Sequence, residues 1–401
     1  MPILNDKRIV LGVTGGIAAY KAADLASKLV QAGARVDVIM TRSATEFVGP
    51  ITFEALTKRR VHTGVFEGWS EAEKGHISLA EEADAIVVAP ATANSIARLA
   101  LGLADDMLTV THLAAAPRGT PILIAPAMEH HMYLNPVTQQ HLEALRGRGA
   151  IIIEPEQGRL ASGAIGVGRL AGAERIIASI EQALARGGPL WRKRVVVAAG
   201  ATVEAIDPIR VLTNRSTGRM GYALARAALQ AGADVTLIST PTALAPVHGA
   251  TIVPVESALD LLAAVRDHAT GADALIMAAA VADYRPAQAA TDKIKKTDDD
   301  MTIQLTRNPD ILATVATPGT LRIGFAAETT DHERYALDKL ARKNLDVIVL
   351  NDARAAMGAE TNSVTLFYRD GRVESLDQAE KLRIAEQIVE RIAGLLPAET
   401  S

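Results

Sequence analysis

The sequence predicts an α/β protein built of two doubly wound domains, and three observations carry that expectation. Residues 31–41 read QAGARVDVIMT and residues 230–240 read QAGADVTLIST, the same helix exit and strand written twice. Each copy stands behind an apolar strand, a glycine-containing turn and an Ala-rich amphipathic helix, completing a strand–helix–strand unit in which a phosphate could meet the helix N-terminus. The 401 residues are 49% apolar but only 3% aromatic, as expected of Ala/Val/Ile/Leu-rich parallel sheets.

Taken in order, RIVLGV, RVDVIM, AIVVAP, PILIAP and AIIIEP are near-continuous apolar runs, each followed by a helical stretch or a loop of Gly, Pro and polar residues. A second series runs through RVVVAAG, DVTLIS, TIVPV, ALIMAAA, LRIGFAA and DVIVLN. Between them ARGGPLWRKR, residues 185–194, comes after a clear helix and is rich in Gly, Pro and charge. The boundary is placed near Gly188, giving domains 1–188 and 189–401. At the tail, SVTLFYRDGRVESL reads as a hairpin about Asp370-Gly371, followed by a helix from Gln378 to Leu396.

Composition excludes several classes. A net charge of −4 spread along the chain leaves no basic face for nucleic acid. No run reaches the roughly eighteen uncharged apolar residues of a membrane helix, and the first strand begins too early to leave room for a signal peptide. Cytoplasmic placement is expected. The chain has no cysteine, which rules out disulfides and thiolate metal sites.

The two glycine turns lead into different segments. In the first half, Thr14, Gly15 and Gly16 pass at once into IAAYKAADLASKL, so the N–H groups of Gly15, Gly16 and Ile17 sit at a helix start and suit a flat phosphate-bearing cofactor. In the second, a long insert with Asn214, Arg215, Ser216 and Arg219 precedes the helix and could fold over a larger charged substrate. Alone, such turns also serve plain strand–helix packing.

Further motifs fall at carboxyl ends of strands, where open sheets bind ligands. The order GVTGGIAAYK, MTRSATEF, GHISLA, APATAN, APAM and GRLASGAIGVGR resembles the flavin-dependent cysteine decarboxylases. TNRSTGRMG, AAAVADYRP, DKIKK, RNPDI and GFAAET resemble phosphopantothenate–cysteine ligase. Together they resemble, over essentially the whole chain, the fused bacterial enzyme of coenzyme A synthesis. The resemblance implies a flavodoxin-like flavoprotein domain followed by a Rossmann-like ligase domain.

For the first half it implies FMN against the glycine turn, with Thr41, Ser43, Thr92, Asn94 and Met128 around it; without that context such hydroxyls cap helices. His76 matches a histidine acting beside the flavin, often across a subunit interface, and an imidazole suits thiol proton transfer. Two positions depart from the familiar pattern. Glu129 replaces an asparagine whose amide donates to the substrate carboxylate, so it must be protonated, turned away, or replaced in role by His130 or His131. Ser162 replaces a cysteine that returns a proton after decarboxylation, and a hydroxyl is a far weaker acid than a thiol of pKa about 8.5.

For the second half the resemblance implies CTP as co-substrate. Lys293 leads the cationic group with Lys295 and Lys296, and Asn308-Pro309-Asp310-Ile311 reads as an N-cap followed by proline at the first helical position. Asp283, at a strand end, and the backbone of Met277, Ala278 and Ala279 match positions around the nucleotide and its Mg2+. Phe325 matches a base-side contact, with Lys339 and Lys343 on one helix face. Asn214 matches the residue that stabilises the acyl-cytidylate. The implied substrates are 4'-phosphopantothenate and L-cysteine, and the implied assembly is a homo-oligomeric dodecamer. Competing readings are an active ligase fused to a decayed flavin domain, an NAD(P)-linked oxidoreductase, and a nucleotide sensor. The second lacks the G-x-G-x-x-G spacing in both turns.

Overall fold

The computed structural model describes residues 3–66, 75–296, 300–328, 332–352 and 361–397. It divides into two compact units, Met1–Leu184 and Ala185–Ser401.

In unit 1, strands β1 (Arg8–Val13), β2 (Arg35–Met40), β3 (Val61–His62), β4 (Ala85–Ala91), β5 (Ile122–Pro126) and β6 (Ile151–Ile152) form one parallel sheet in the order β3-β2-β1-β4-β5-β6. Period-two alternation explains why its strands are apolar throughout. Ile9, Leu11, Val13, Val36, Val38 and Val87 enter one core, while Val10, Ile39, Ile86 and Val88 enter the other. Helices Lys21–Gln31 and Ala173–Leu184 cover the first face; Ala93–Leu101 and Met107–Ala115 cover the second. Asp106 and Thr109 close a reciprocal capping box at the start of the last of these. At the amino edge of the strands the Asp37 carboxylate is buried between Arg8 Nε (2.5 Å) and Arg59 Nε (2.6 Å), which meets the need of a buried charge for partners.

The order reverses between β1 and β4, opening the crevice at the carboxyl ends where ligands of such sheets lie. Beyond β6, strands β7 (Glu156–Arg159) and β8 (Ile165–Arg169) pair with each other as an antiparallel hairpin.

Unit 2 has an eight-stranded mixed sheet. Strands β9 (Arg194–Ala199), β12 (Asp234–Ser239), β13 (Thr251–Pro254), β14 (Ala274–Met277), β17 (Leu321–Glu328) and β18 (Val347–Asp352) are parallel. Two antiparallel strands, β19 (Thr361–Tyr368) and β20 (Val373–Glu380), complete the order β13-β12-β9-β14-β17-β18-β19-β20. The alternation recurs, with Val195, Val197 and Ile276 in one core and Val196, Leu275 and Ile348 in the other. Small hairpins β10 (Val203–Ala205) with β11 (Val211–Thr213), and β15 (Tyr284–Pro286) with β16 (Leu305–Arg307), stand at the carboxyl side of this sheet.

Three sequence expectations shift. The terminal helix spans Lys381–Leu395, because residues up to Glu380 pair with β19 and extend the hairpin first. The ALIMAAA strand ends at Met277, since the backbone beyond it turns to bond Ala198 O and Gly200 O. Tyr284 therefore opens β15 instead of ending a strand. No helix among the described residues is long and apolar enough to cross a membrane.

Candidate active sites

At the switch point of unit 1 the turn after β1 meets the end of β4 through a fully buried Thr14. Its Oγ1 donates to Pro90 O (2.7 Å) and accepts from Thr92 N–H (3.0 Å). Gly15 lies so close to the segment after β2 that a Cβ there would sit 2.3 Å from Ser43 Cβ and 2.7 Å from its carbonyl carbon. Only glycine permits this interlock. The helix expected after the turn begins as a tighter 3₁₀ turn, Ile17–Tyr20, before the α-helix at Lys21.

Around this junction lies a cavity of about 1050 Å³. Gly15, Gly16, Ile17, Thr41, Ser43, Thr92, Asn94, Met128, Glu129 and Ser162 all line it. Thr41 Oγ1 is buried and has no hydrogen-bond partner among the described residues, an acceptor and donor awaiting a ligand. Thr92 does two things: it lines the cavity and its hydroxyl caps the helix Ala93–Leu101 by accepting from Ser95 N–H (3.4 Å). Lys21, Arg42, Arg98, Arg159 and Arg169 supply positive charge to the wall. Burial, then the nearby Arg169 charge, hold the Lys21 ammonium below its ordinary pKa, with Glu156 opposing them.

Glu129 is the N-cap of the short helix His130–Leu134, its carboxylate accepting from His131 N–H at 2.7 Å. The carboxylate is thus engaged by the protein's own backbone while Glu129 still lines the cavity. Ser162 sits exposed at the tip of the β7–β8 hairpin, accepting from Ala164 N–H at 3.4 Å. His76 begins the helix His76–Glu82 and is not among the described residues that line the cavity.

Unit 2 gathers its candidates through backbone hydrogen bonds. Thr202, fully buried, accepts from Ala282 N–H through Oγ1 (2.9 Å) and from Thr213 Oγ1 through its carbonyl (2.8 Å). Asn214 comes next, its amide donating to Ala280 O (3.2 Å), one residue beyond the Met277–Ala279 segment. Asp207 accepts from Ile209, Arg210 and Ile294 N–H, which fastens the lysine stretch 293–296 to the β10–β11 connection. Burial pushes the Asp207 carboxyl up, but those N–H donors and Arg210 outweigh it and hold the group below the usual carboxylate range. Lys293, Lys295 and Lys296 are exposed.

The Asn308 expectation needs correction. The helix is Ile311–Thr314 and its cap is Asp310, which accepts from Ala313 N–H (3.3 Å); Pro309 precedes the cap. Asn308 is consumed elsewhere, donating to Ala282 O (2.8 Å) and accepting from Arg285 (2.9 Å), because β16 ends beside the loop that carries Asp283. Asp310 also pairs with Lys343 Nζ at 3.1 Å. Lys343 lies one residue past the helix His332–Arg342, whose last turn holds Lys339. Phe325, half-buried on β17, packs against the core. Thr329 of the GFAAET motif lies outside the described residues. No group of three His, Asp or Glu that could hold a metal occurs among the described residues, so Asp283 is a single carboxylate.

Two family models match consecutive parts of the chain: the flavoprotein family over residues 3–185 and the C-terminal domain of the DNA/pantothenate metabolism flavoproteins over residues 190–396. The coenzyme A biosynthesis bifunctional protein CoaBC of Bacillus subtilis is 48% identical over 401 residues, with 98% of each chain covered. The chain belongs to the CoaBC family. The CoaBC of Vibrio cholerae is 44% identical, covering 98% of this chain and 99% of its own. A crystal structure of a CoaBC C-terminal domain is 43% identical over 52% of this chain and 97% of that one, with a TM-score of 0.46. As a CoaBC family member the chain is a bifunctional enzyme of coenzyme A biosynthesis, a phosphopantothenate–cysteine ligase joined to a phosphopantothenoylcysteine decarboxylase.

Thr14, Thr202 and Asp207 were not singled out from sequence as functional. Thr14 and Thr202 sit beside glycine turns, and Asp207-Pro208 is a turn signal, but which distant backbone each binds is decided only by strand order.

Proposed function

We propose that unit 2 joins 4'-phosphopantothenate to L-cysteine at the expense of CTP, and that unit 1 then decarboxylates the product to 4'-phosphopantetheine with FMN. The observation that supports this most is the unit 1 cavity at the strand tips, with a buried unpartnered Thr41 hydroxyl and a glycine turn too tight for any side chain. Thr41, Ser43, Thr92, Asn94 and the N–H groups of Gly15 to Ile17 would hold FMN there, with Met128 beside it. When bound, the flavin supplies the electron sink for loss of carbon dioxide. Ser162 covers the cavity from the hairpin, and protons reach the product from water or a histidine in place of the absent thiol. His76 serves the cavity of a neighbouring copy, so a homo-oligomer, a dodecamer by resemblance, belongs to this reading. Its setting is the cytosol.

In unit 2 the phosphopantothenate carboxylate attacks CTP and releases pyrophosphate; cysteine then attacks the acyl-cytidylate and releases CMP. Lys293, Lys339 and Lys343 neutralise phosphate charge, and Asn214 donates to the developing oxyanion. The Asn308–Ile311 segment and Phe325 lie along the nucleotide. Asp283 would hold Mg2+, which would supply charge neutralisation at the phosphates.

Purified full-length protein given phosphopantothenate, cysteine, CTP and magnesium should be yellow and should release CMP and carbon dioxide in equal amounts. A colourless protein that forms CMP without carbon dioxide would remove the decarboxylase half of the proposal.

A further inference from the structure

His130 lies two residues after the flavin-side motif APAM, and the sequence offers it only as a stand-in for Glu129. Three contacts single it out. Val167 N–H donates to His130 Nδ1 at 3.1 Å, and the same nitrogen lies 3.2 Å from Val167 O. A Cβ on Gly166 would sit 2.7 Å from His130 Cγ and Nδ1, so the imidazole packs against the β8 backbone where only glycine leaves room. Two residues on, Gly168 at φ +143° has its O bonded by Met128 N–H (3.0 Å), and a Cβ there would be 2.2 Å from Met128 O. Gly166 and Gly168 share one face of β8, and that face is bare because the segment 128–130 occupies it. The hairpin pairs with no other strand of the described residues, so these contacts, with Val167 against the core and Glu156 accepting from Gly172 N–H (2.9 Å), hold it at the cavity.

We infer that His130 is a positioning residue of the decarboxylase: its Nδ1 pins β8 and thereby holds Ser162 and Arg159 over the substrate. Glu129 supports it by capping the helix that begins at His130. This rests on the decarboxylase reading of the cavity.

The test compares full-length, flavin-loaded His130→Leu and His130→Asn with the parent. Asn keeps an acceptor near the place of Nδ1; Leu keeps bulk and loses it. Amide exchange in residues 165–169 should quicken about fivefold or more in the Leu protein, the scale of one lost hydrogen bond, and return toward the parent in the Asn protein. The KM for phosphopantothenoylcysteine should rise about tenfold in the Leu protein with kcat within about threefold, the pattern of lost ground-state positioning. Unchanged exchange and KM in the Leu protein would overturn the inference, as would a fall in kcat alone or failure of Asn to restore either reading. The exchange arm decides the hairpin anchor even if the protein decarboxylates nothing, which separates this inference from the function beneath it.

Discussion

Ser162 meets the proposed decarboxylase reaction with a hydroxyl where the resemblance expects a thiol. It occupies the hairpin tip lining the cavity, and its hydroxyl is several units less acidic than the thiol whose place it takes. The last protonation should therefore be slow: ene-thiol should accumulate in single-turnover mixtures, and Ser162→Cys should diminish it by about tenfold or more. Equal product profiles by mass spectrometry would contradict this. His112 makes a different kind of statement. Burial, then the Arg148 charge, push it down to about 4 from 6.5. Between those values the unfolded chain binds a proton that the folded chain refuses. Stability is thus complete above pH 6.5 and is lost as pH falls toward 4, by on the order of 3 kcal/mol. Urea midpoints of the parent should drop over that window, and His112→Leu should flatten the drop; parallel curves would refute it. Thr41 and Asn94, named from motifs, line the cavity within three residues of the ends of β2 and β4, whereas Thr14 acquires its tether only when β4 arrives beside β1.

Elements were legible in proportion to how deeply they are buried. β1, β2 and β12 match their runs residue for residue and β9 stops one residue short of its run, since both faces of each sheet are covered and most positions inside the strands are apolar. The hairpins escaped notice because EQGR, VEA, YRP and LTR are short and partly exposed, and carry no periodic signal. Their effect on function is nonetheless large, because they decide which residue caps which helix. Around Ile311–Thr314 the cap moved from Asn308 to Asp310, and with it came the Lys343 ion pair. Asp310→Ala should lose a cap worth about 1 kcal/mol and release Lys343. If the Asn308–Ile311 segment holds the nucleotide as proposed, the KM for CTP should change about threefold or more while that for cysteine stays fixed. Initial-rate measurements varying each substrate check this, and equal changes in both constants would place the pair outside the nucleotide site.

At the scale of the molecule, each unit closes its own pair of cores: Leu11 and Ile86 on the two faces of one sheet, Val197 and Leu275 on the two faces of the other. Residues 1–184 and 185–401 made as separate chains should each fold, the first yellow and the second forming CMP; flavin absorbance and nucleotide release check the two independently. The shared phrase QAGA-x-V had already pointed to two sheets, but an apolar run identifies a strand without ordering it, so the location of each crevice waited on topology. The Gly15–Ser43 interlock and the Thr14 tether carry one more consequence. Their parts leave the ribosome in the order 14–15, 41–43, 90–92, with the covering hairpin emerging last, at 156–169. A pocket whose walls lie this far apart in sequence should take up pigment only late in biosynthesis of this half, which flavin absorbance of stalled nascent chains of increasing length would check.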